Sequence, residues 1–351
     1  MKNQTEFIGF TCAYAPLPVI DAAGYAHFRV LPMGDAPDQA GSLLHDNMCP
    51  HVKRILDRAF DGDLPDLAGM VFVNSCDAMR RAADAWEIVR PDDRVIRLDL
   101  PATSDALSES FLAGEIKRVA QEIFSWNGKS VEPERIETSM ARYDELAGLI
   151  QDMKNKICSQ KPAGGGKMMQ KIYNRASVEP LSEMINNLKD LISAPEKPSS
   201  PYSGVPIFLF GNVFPDPEAF ALLESCGAFV EDDDLCTGSR AFAMGDGDAS
   251  GDIYLRLARR TLHRPRCART FQPFRPDGMA EDIILRAKAC NAKGVIGHFV
   301  KFCDPYLTRL PAVRNAMKDA GLPLLVIEGD CTLRSMGQQR TRIEAFIEML
   351  R

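Results

Sequence analysis

Long apolar runs are missing from this sequence of 351 residues. No stretch approaches the roughly 18 consecutive apolar residues of a membrane span, and the opening MKNQTEFIGF has no charged segment leading into an apolar one. The expectation is a soluble, cytoplasmic chain with no membrane partner. An excess of positive charge is missing too. Lys and Arg number 42 against 48 Asp and Glu, a formal net charge of -6, which gives no general field for nucleic acid. The five histidines form no HExxH pair, and the GxSxG turn of a serine hydrolase is absent. GGGKMM lacks the hydroxyl residue and the spacing of a phosphate-cradling loop, so ATP is not expected to bind here. DGDASGD begins like a calcium loop but puts Leu257 where the bidentate carboxylate belongs.

What the chain does have is a large apolar share, 45%, enough for one full core and by expectation two. Over residues 1–103, short apolar runs (YAHFRVLP, GMVFVNS, RVIRLDLP) alternate with helical patterns (PHVKRILDRAF, AADAWEIV). That βαβ rhythm predicts a parallel sheet with helices on its faces. GFTCAYAPLPVIDAAG reads as a turn, a short helix and a glycine stop. Residues 104–204 change to long amphipathic patterns, with Ile136, Met140, Tyr143, Leu146, Ile150 and Met153 at three- and four-residue steps. They predict a helical cover ending in the linker APEKPSSPYSGVP. From Val205 to the end at 351 the rhythm returns through PIFLFGNVF, AFVEDD, GVIGHFV and PLLVIEGD. The predicted class is α/β, with two Rossmann- or flavodoxin-like lobes of mainly parallel sheet and a helical segment between them.

Ten cysteines in a long chain with no secretion signal read as reduced thiols, most of them small buried hydrophobes. Cys158, Cys226, Cys290 and Cys331 are left in that class. Cys49 in NMCPHVKR, Cys76 in VFVNSCDAMRR and Cys303 in VIGHFVKFCDPY differ, because each stands where an apolar run gives way to a turn or a helix start. Ligands of open α/β sheets gather in the crevice beyond the carboxyl ends of the strands, and a helix start favours a thiolate. Pro50 fits the first position of such a helix. The separations are long, so no CxxC or ferredoxin-type run exists and the loops must converge in space. Gly238-Ser239-Arg240 can present amides and a guanidinium to an anion such as a CoA phosphate, with a plain helix cap as the alternative. Ser335 and Gln338 have capping-box spacing before TRIEAFIEML, where exposed N–H groups can face a cluster or a thioester.

The stretches YAPLPVIDAAG, CPHVKRILD, SCDAMRRAADAW, VEDDDLCTGSR, VIGHFVKFCDPY, LPLLVIEGD and SMGQQRTRIEAFIEML follow one another in this order. In them the chain resembles the 2-hydroxyacyl-CoA dehydratase and benzoyl-CoA reductase family over nearly its whole length, most closely the smaller, D-component type of subunit. The resemblance implies a 4Fe-4S cluster on three cysteines, which carry over onto Cys49, Cys76 and Cys303 and leave one iron open. Cys12 in FTCAYAP is a further candidate, as a fourth ligand or as a ligand of an additional cluster. Cys236 and Cys267 also fall in family motifs, with turn and loop roles as their plainer reading. The implied reaction places one strongly reducing electron on an acyl-CoA thioester, so that water leaves and the electron returns. The implied partners are a homologous larger subunit and a separate ATP-hydrolysing iron–sulfur activator. The alternatives are a benzoyl-CoA reductase-type subunit or double-cubane reductase, toward which Cys12 points, and a non-catalytic electron-carrying or assembly partner. The acyl group and the acid and base are not assigned.

Overall fold

The computed structural model describes residues 5–33, 38–195, 201–243, 245, 249–270, 275 and 277–351, without the side chain of Ser335. The first half runs β1 (Phe7–Phe10), α1 (Leu17–Ala23), β2 (Ala26–Arg29), α2 (Pro50–Asp61), β3 (Leu67–Asn74), α3 (Asp77–Val89), β4 (Val95–Asp99) and α4 (Ala106–Ser125). Three helices follow, α5 (Pro133–Gln160), α6 (Gly165–Ala176) and α7 (Leu181–Ser193). The second half runs β5 (Val205–Gly211), α8 (Pro217–Ser225), β6 (Ala228–Asp234), α9 (Ser239–Phe242), α10 (Ile253–Leu262), α11 (Gly278–Ala289), β7 (Gly294–Val300), α12 (Asp304–Asp319), β8 (Leu324–Gly329), α13 (Leu333–Gln338) and α14 (Arg340–Leu350).

The strands form two four-stranded sheets in the orders β2-β1-β3-β4 and β6-β5-β7-β8. Every pairing in them is parallel, as the βαβ rhythm predicts. The two orders are equivalent, so each half is one doubly wound unit whose direction of winding reverses beside its first strand. In the first sheet that switch point lies between β1 and β3; in the second it lies between β5 and β7. These are the places where an open α/β sheet leaves a crevice.

Alternation of side chains across the strands builds a core on each face. Val71 and Val73 of β3 pack with α1 and α4, while Met70 and Phe72 face α2 and α3. Ile207 and Leu209 of β5 pack with α8 and α14, and Phe208 and Phe210 face α11 and α12. The helical block divides. The α4 helix belongs to the first sheet's core, whereas α5, α6 and α7 build a core of their own from residues such as Leu146, Ile150 and Tyr173. The α10 helix, from the second half of the sequence, buries Ile253, Leu257 and Leu262 in the first sheet's core. Its Arg259 pairs with Glu109 of α4 at 2.8 Å. The halves are therefore laced together.

Close backbone approach fixes the second switch point. Gly211 ends β5 at φ 153°, and a Cβ there would lie 1.9 Å from the carbonyl oxygen of His298 on β7. Gly211→Ala is expected to cost about 3 kcal/mol or more of stability, since backbone on both sides leaves nothing flexible to give; the midpoint of urea unfolding measures it. His298 itself is 1% exposed, its ring 4.4 Å from that of Phe214, and its Nδ1 has no hydrogen-bond partner. Burial pulls its pKa down from 6.5 to about 4. As pH falls through 6.5 the unfolded chain takes a proton that the folded chain refuses until about pH 4, so stability is lost across that window. The contribution is about 3 kcal/mol. His298→Gln is expected to flatten the slope of stability against pH between 6.5 and 4, read from urea midpoints of both proteins at stepped pH.

Candidate metal centre

The carboxyl ends of both sheets open on one cavity of about 100 Å³, whose wall carries six cysteines: Cys12, Cys49, Cys76, Cys236, Cys267 and Cys303. Topology explains how residues so far apart in sequence meet. Cys12 follows β1 and Cys76 follows β3, the two strands at the first switch point. Cys303 follows β7 at the second, and Cys236 follows β6. Cys267 lies in the loop after α10, the helix that crosses to the first sheet.

Cys49, Cys76 and Cys303 are the N-cap residues of α2, α3 and α12. Pro50 occupies the first turn of α2 and Pro305 that of α12, where a missing N–H costs nothing. Phe302 sets the last of the three by a left-handed turn, φ 58°, after β7. Asn212, just beyond β5, accepts the Val300 N–H on Oδ1 at 3.1 Å and hydrogen-bonds the Cys303 thiol. The three thiols thus sit at the positive ends of three helices.

Their electrostatics is dominated by burial. Burial pushes the Cys49 thiol up to about 12, the nearby Cys303 and Cys76 add to the rise, and the N–H groups of His51 and Val52 oppose it. Burial raises Cys303 to about 11 and Cys12 to about 12, and it raises Cys76 and Cys267 as well. Cys236 departs from this pattern. Burial pushes it up, but the guanidiniums of Arg29 and Arg240 and the hydrogen bond from Arg29 hold its thiol below the ordinary value. Cys331, after β8, takes a left-handed backbone at φ 72° and lies near enough to Cys49 and Cys303 to be raised by both, after burial.

The six sulfurs differ in where they stand: Cys49, Cys76 and Cys303 are helix N-caps, whereas Cys12, Cys236 and Cys267 lie in loops. Influence runs within and between these sets, since Cys303 and Cys76 act on Cys49, Cys236 and Cys267 act on Cys12, and Cys267 acts on Cys303. Among the described residues no three Cys, His, Asp or Glu side chains close on a single ion. Soft donors spaced around an open volume suit a polynuclear core, which brings its own sulfide and reaches each thiolate from a different corner. A positive core also reverses the raised pKa values, because a coordinating thiol loses its proton outright.

The anion-binding residues expected from sequence stand elsewhere. Arg240 is 1% exposed, and its five N–H groups are matched by five oxygens. Nε meets Asp234 Oδ1 at 2.9 Å, Nη1 meets Gly211 O and Tyr306 Oη, and Nη2 meets Asp234 O and Oδ2. Nothing is left for a CoA phosphate. Ser239 gives its N–H to Asp233 Oδ1 at 2.8 Å and its hydroxyl to the Asp233 carbonyl, and it accepts from Arg286. Both residues tie down the acidic end of β6. The positions read as a capping box, Ser335 and Gln338, both lie within α13, Gln338 is exposed, and Gln339 is the N-cap of α14. The side chain of Ser335 lies outside the described residues.

Comparison with known proteins places the chain in a family. The family model for the 2-hydroxyglutaryl-CoA dehydratase D-component matches residues 12–350, and the chain belongs to that family. It is 24% identical over 355 residues to the (R)-phenyllactyl-CoA dehydratase beta subunit of Clostridium sporogenes, covering 99% of this chain and 93% of that one. It is 24% identical over 347 residues to the lactoyl-CoA dehydratase subunit beta of Anaerotignum propionicum, covering 98% and 91%. A subunit of the benzoyl-CoA reductase of Thauera aromatica is 21% identical over 327 residues, covering 91% and 84%. No described helix is long and apolar enough to cross a membrane.

The Asp234–Arg240 pair supports the cavity wall from behind, and breaking it strands a buried charge. Asp234→Ala is expected to cost 3–5 kcal/mol, order of magnitude, whereas the double change Asp234→Leu with Arg240→Met costs roughly a third of that or less. Urea unfolding of both variants checks the difference.

Proposed function

We propose that this chain holds an iron–sulfur core on Cys49, Cys76 and Cys303 and is the electron-delivering subunit of a 2-hydroxyacyl-CoA dehydratase. The observation that carries the reading is the meeting of these three thiols, each at a helix N-terminus, on one cavity at the carboxyl ends of both sheets, Cys76 and Cys303 at the switch points and Cys49 beside them. Its relatives named as beta subunits support a homologous larger subunit as partner. A separate ATP-hydrolysing iron–sulfur activator would supply the electron, in keeping with the absence of a phosphate-binding loop from the sequence.

Held by Cys49, Cys76 and Cys303, such a core would supply a strongly reducing electron and Lewis acidity toward an acyl-CoA. The chain's own residues exclude water, neutralise charge and position the thiols. Helix N-termini face Cys49, Cys76 and Cys303, and Asn212 steadies Cys303. Tyr14 and Tyr306 line the same wall, and burial pushes both hydroxyls well above the ordinary value, so they stay protonated. Burial lowers His51 to about 3, so its imidazole stays neutral and weakly basic. No carboxylate lines the cavity among the described residues. The base for the substrate C–H is accordingly assigned to the partner subunit.

One observation favours a second reading. Cys12, Cys236 and Cys267 form a further set of three thiols on the same cavity, as a double cubane would require, and that reading makes the chain a reductive member of the family. Anaerobic purification followed by iron and sulfide analysis separates the two. The dehydratase reading expects about four irons per chain, lost in Cys303→Ser and kept in Cys236→Ser. The double-cubane reading expects about eight, with loss in both variants. An iron-free protein from anaerobic cells overturns both, and iron without turnover in the presence of activator, ATP, reductant and a 2-hydroxyacyl-CoA overturns the dehydratase.

A further inference from the structure

Arg29 ends β2 and is 1% exposed. A guanidinium keeps its charge at any pH a protein survives, and burying it without a counter-charge costs several kcal/mol. Arg240, the neighbouring buried arginine, has Asp234 at 2.8 Å. Among the described residues no carboxylate pairs with Arg29. Its Nη1 donates to the Cys236 carbonyl at 2.7 Å, its Nη2 donates to Cys236 Sγ at 3.0 Å, and its Nε, also buried, has no partner. The fork crosses from the first sheet to the second and grips a single residue by backbone and sulfur.

The compensating charge for this cation must therefore come from Cys236 and from whatever Cys236 holds. We infer that Arg29 is a positioning residue that fixes Cys236 in the second set of thiols and raises the reduction potential of the core bound there. A fixed positive charge and an N–H···S hydrogen bond both stabilise the form that carries the extra electron. The surroundings of the two sets are unequal in this respect. The first set faces helix N-termini, which carry partial charges, while the second has the whole charge of Arg29 on Cys236, with Arg240 nearby but paired with Asp234. This inference rests on the six-thiol reading.

The test is a redox titration followed by electron paramagnetic resonance, on anaerobically purified wild type, Arg29→Gln and Arg29→Lys, each with its iron counted. Glutamine keeps a donor and removes the charge; lysine keeps the charge and removes the fork. Arg29→Gln is expected to keep its iron and show a more negative midpoint, and Arg29→Lys to stay at the wild-type midpoint. An iron-loaded Arg29→Gln with the wild-type midpoint overturns the inference and leaves the iron–sulfur reading intact. Iron-free wild type overturns both, and a wild type with about four irons overturns the inference while leaving the dehydratase reading intact. If Arg29→Gln fails to fold or loads no iron, Arg29→Lys decides: wild-type iron and midpoint uphold the role of charge, and lost iron or a lowered midpoint overturns it.

Discussion

Everything in this structure depends on two parallel sheets turning the same ends toward each other. Parallel strands send all their outgoing loops and helix starts to one side, so each half has one chemically active edge and one inert edge. Facing the active edges concentrates backbone N–H groups, loop side chains and thiols in a gap that neither half has alone. The contacts that hold the gap closed are themselves at that edge. Arg29 reaches Cys236 across it, Tyr14 meets Thr270 at 3.4 Å, and Arg264 donates to the Ala13 carbonyl. The α10 helix, sent across to lie on α4, keeps the halves from separating. The cavity is a consequence of topology before it is a consequence of any particular side chain.

Charge is the second constraint, and it follows from the first. The walls of the gap are buried, and burial makes both thiolates and guanidiniums expensive. The protein answers differently on its two walls. Around Cys49, Cys76 and Cys303 it offers helix termini, and the thiols remain protonated until something positive arrives. Beside Cys236 it offers the guanidinium of Arg29, which no carboxylate pairs among the described residues, and that one thiol is held toward its charged form. Loading a core into such a site must release protons from the thiols that burial keeps protonated, Cys12 and Cys267 as well as Cys49, Cys76 and Cys303, which couples occupancy to pH. Acidic residues on β6 absorb the remaining positive charge behind the wall: Asp232 pairs with Lys154 and Arg286, and Asp234 with Arg240.

Much of the frame was legible in the sequence because parallel strands buried on both faces write themselves as continuous apolar runs. GMVFVNS, RVIRLDLP, PIFLFGNVF and GVIGHFV all hold strands where the pattern puts them. The first strand was not legible. FIGF has four residues and a glycine whose missing Cβ makes room for the Met70 sulfur, and so short a run carries no period. At the site, Cys49, Cys76 and Cys303 could be singled out because a helix start leaves a local signature, Pro50 and Pro305 included. Cys236 and Cys267 sit in a turn and a loop, whose signals are the same whether a thiol is idle or facing a cavity. Arg29 did leave a trace, a charge inside the apolar YAHFRVLP, but its partner lies 207 residues away, and no period links them. Arg240 shows the opposite error. A glycine, a hydroxyl and an arginine in a row read as an anion site, yet the oxygens that consume the guanidinium come from β5, β6 and α12, which only the folded chain brings together.

The dehydratase and reductive readings share this frame and differ in how many of its loops carry sulfur. Nothing in the sheet order, the helix starts or the switch points has to change between them. A cysteine after β1, one after β6 and one after α10 are enough to line the far side of the gap, each in a loop rather than in a strand or helix. The buried arginine at the end of β2 is harder to accommodate in a three-thiol protein, because it would then face a lone thiol with no bound charge beyond it. Its burial is matched in charge if Cys236 is one of several thiolates whose combined charge outweighs that of the core they hold. The number of irons is thus a question about the second wall, and the physical weight on that wall lies with Arg29.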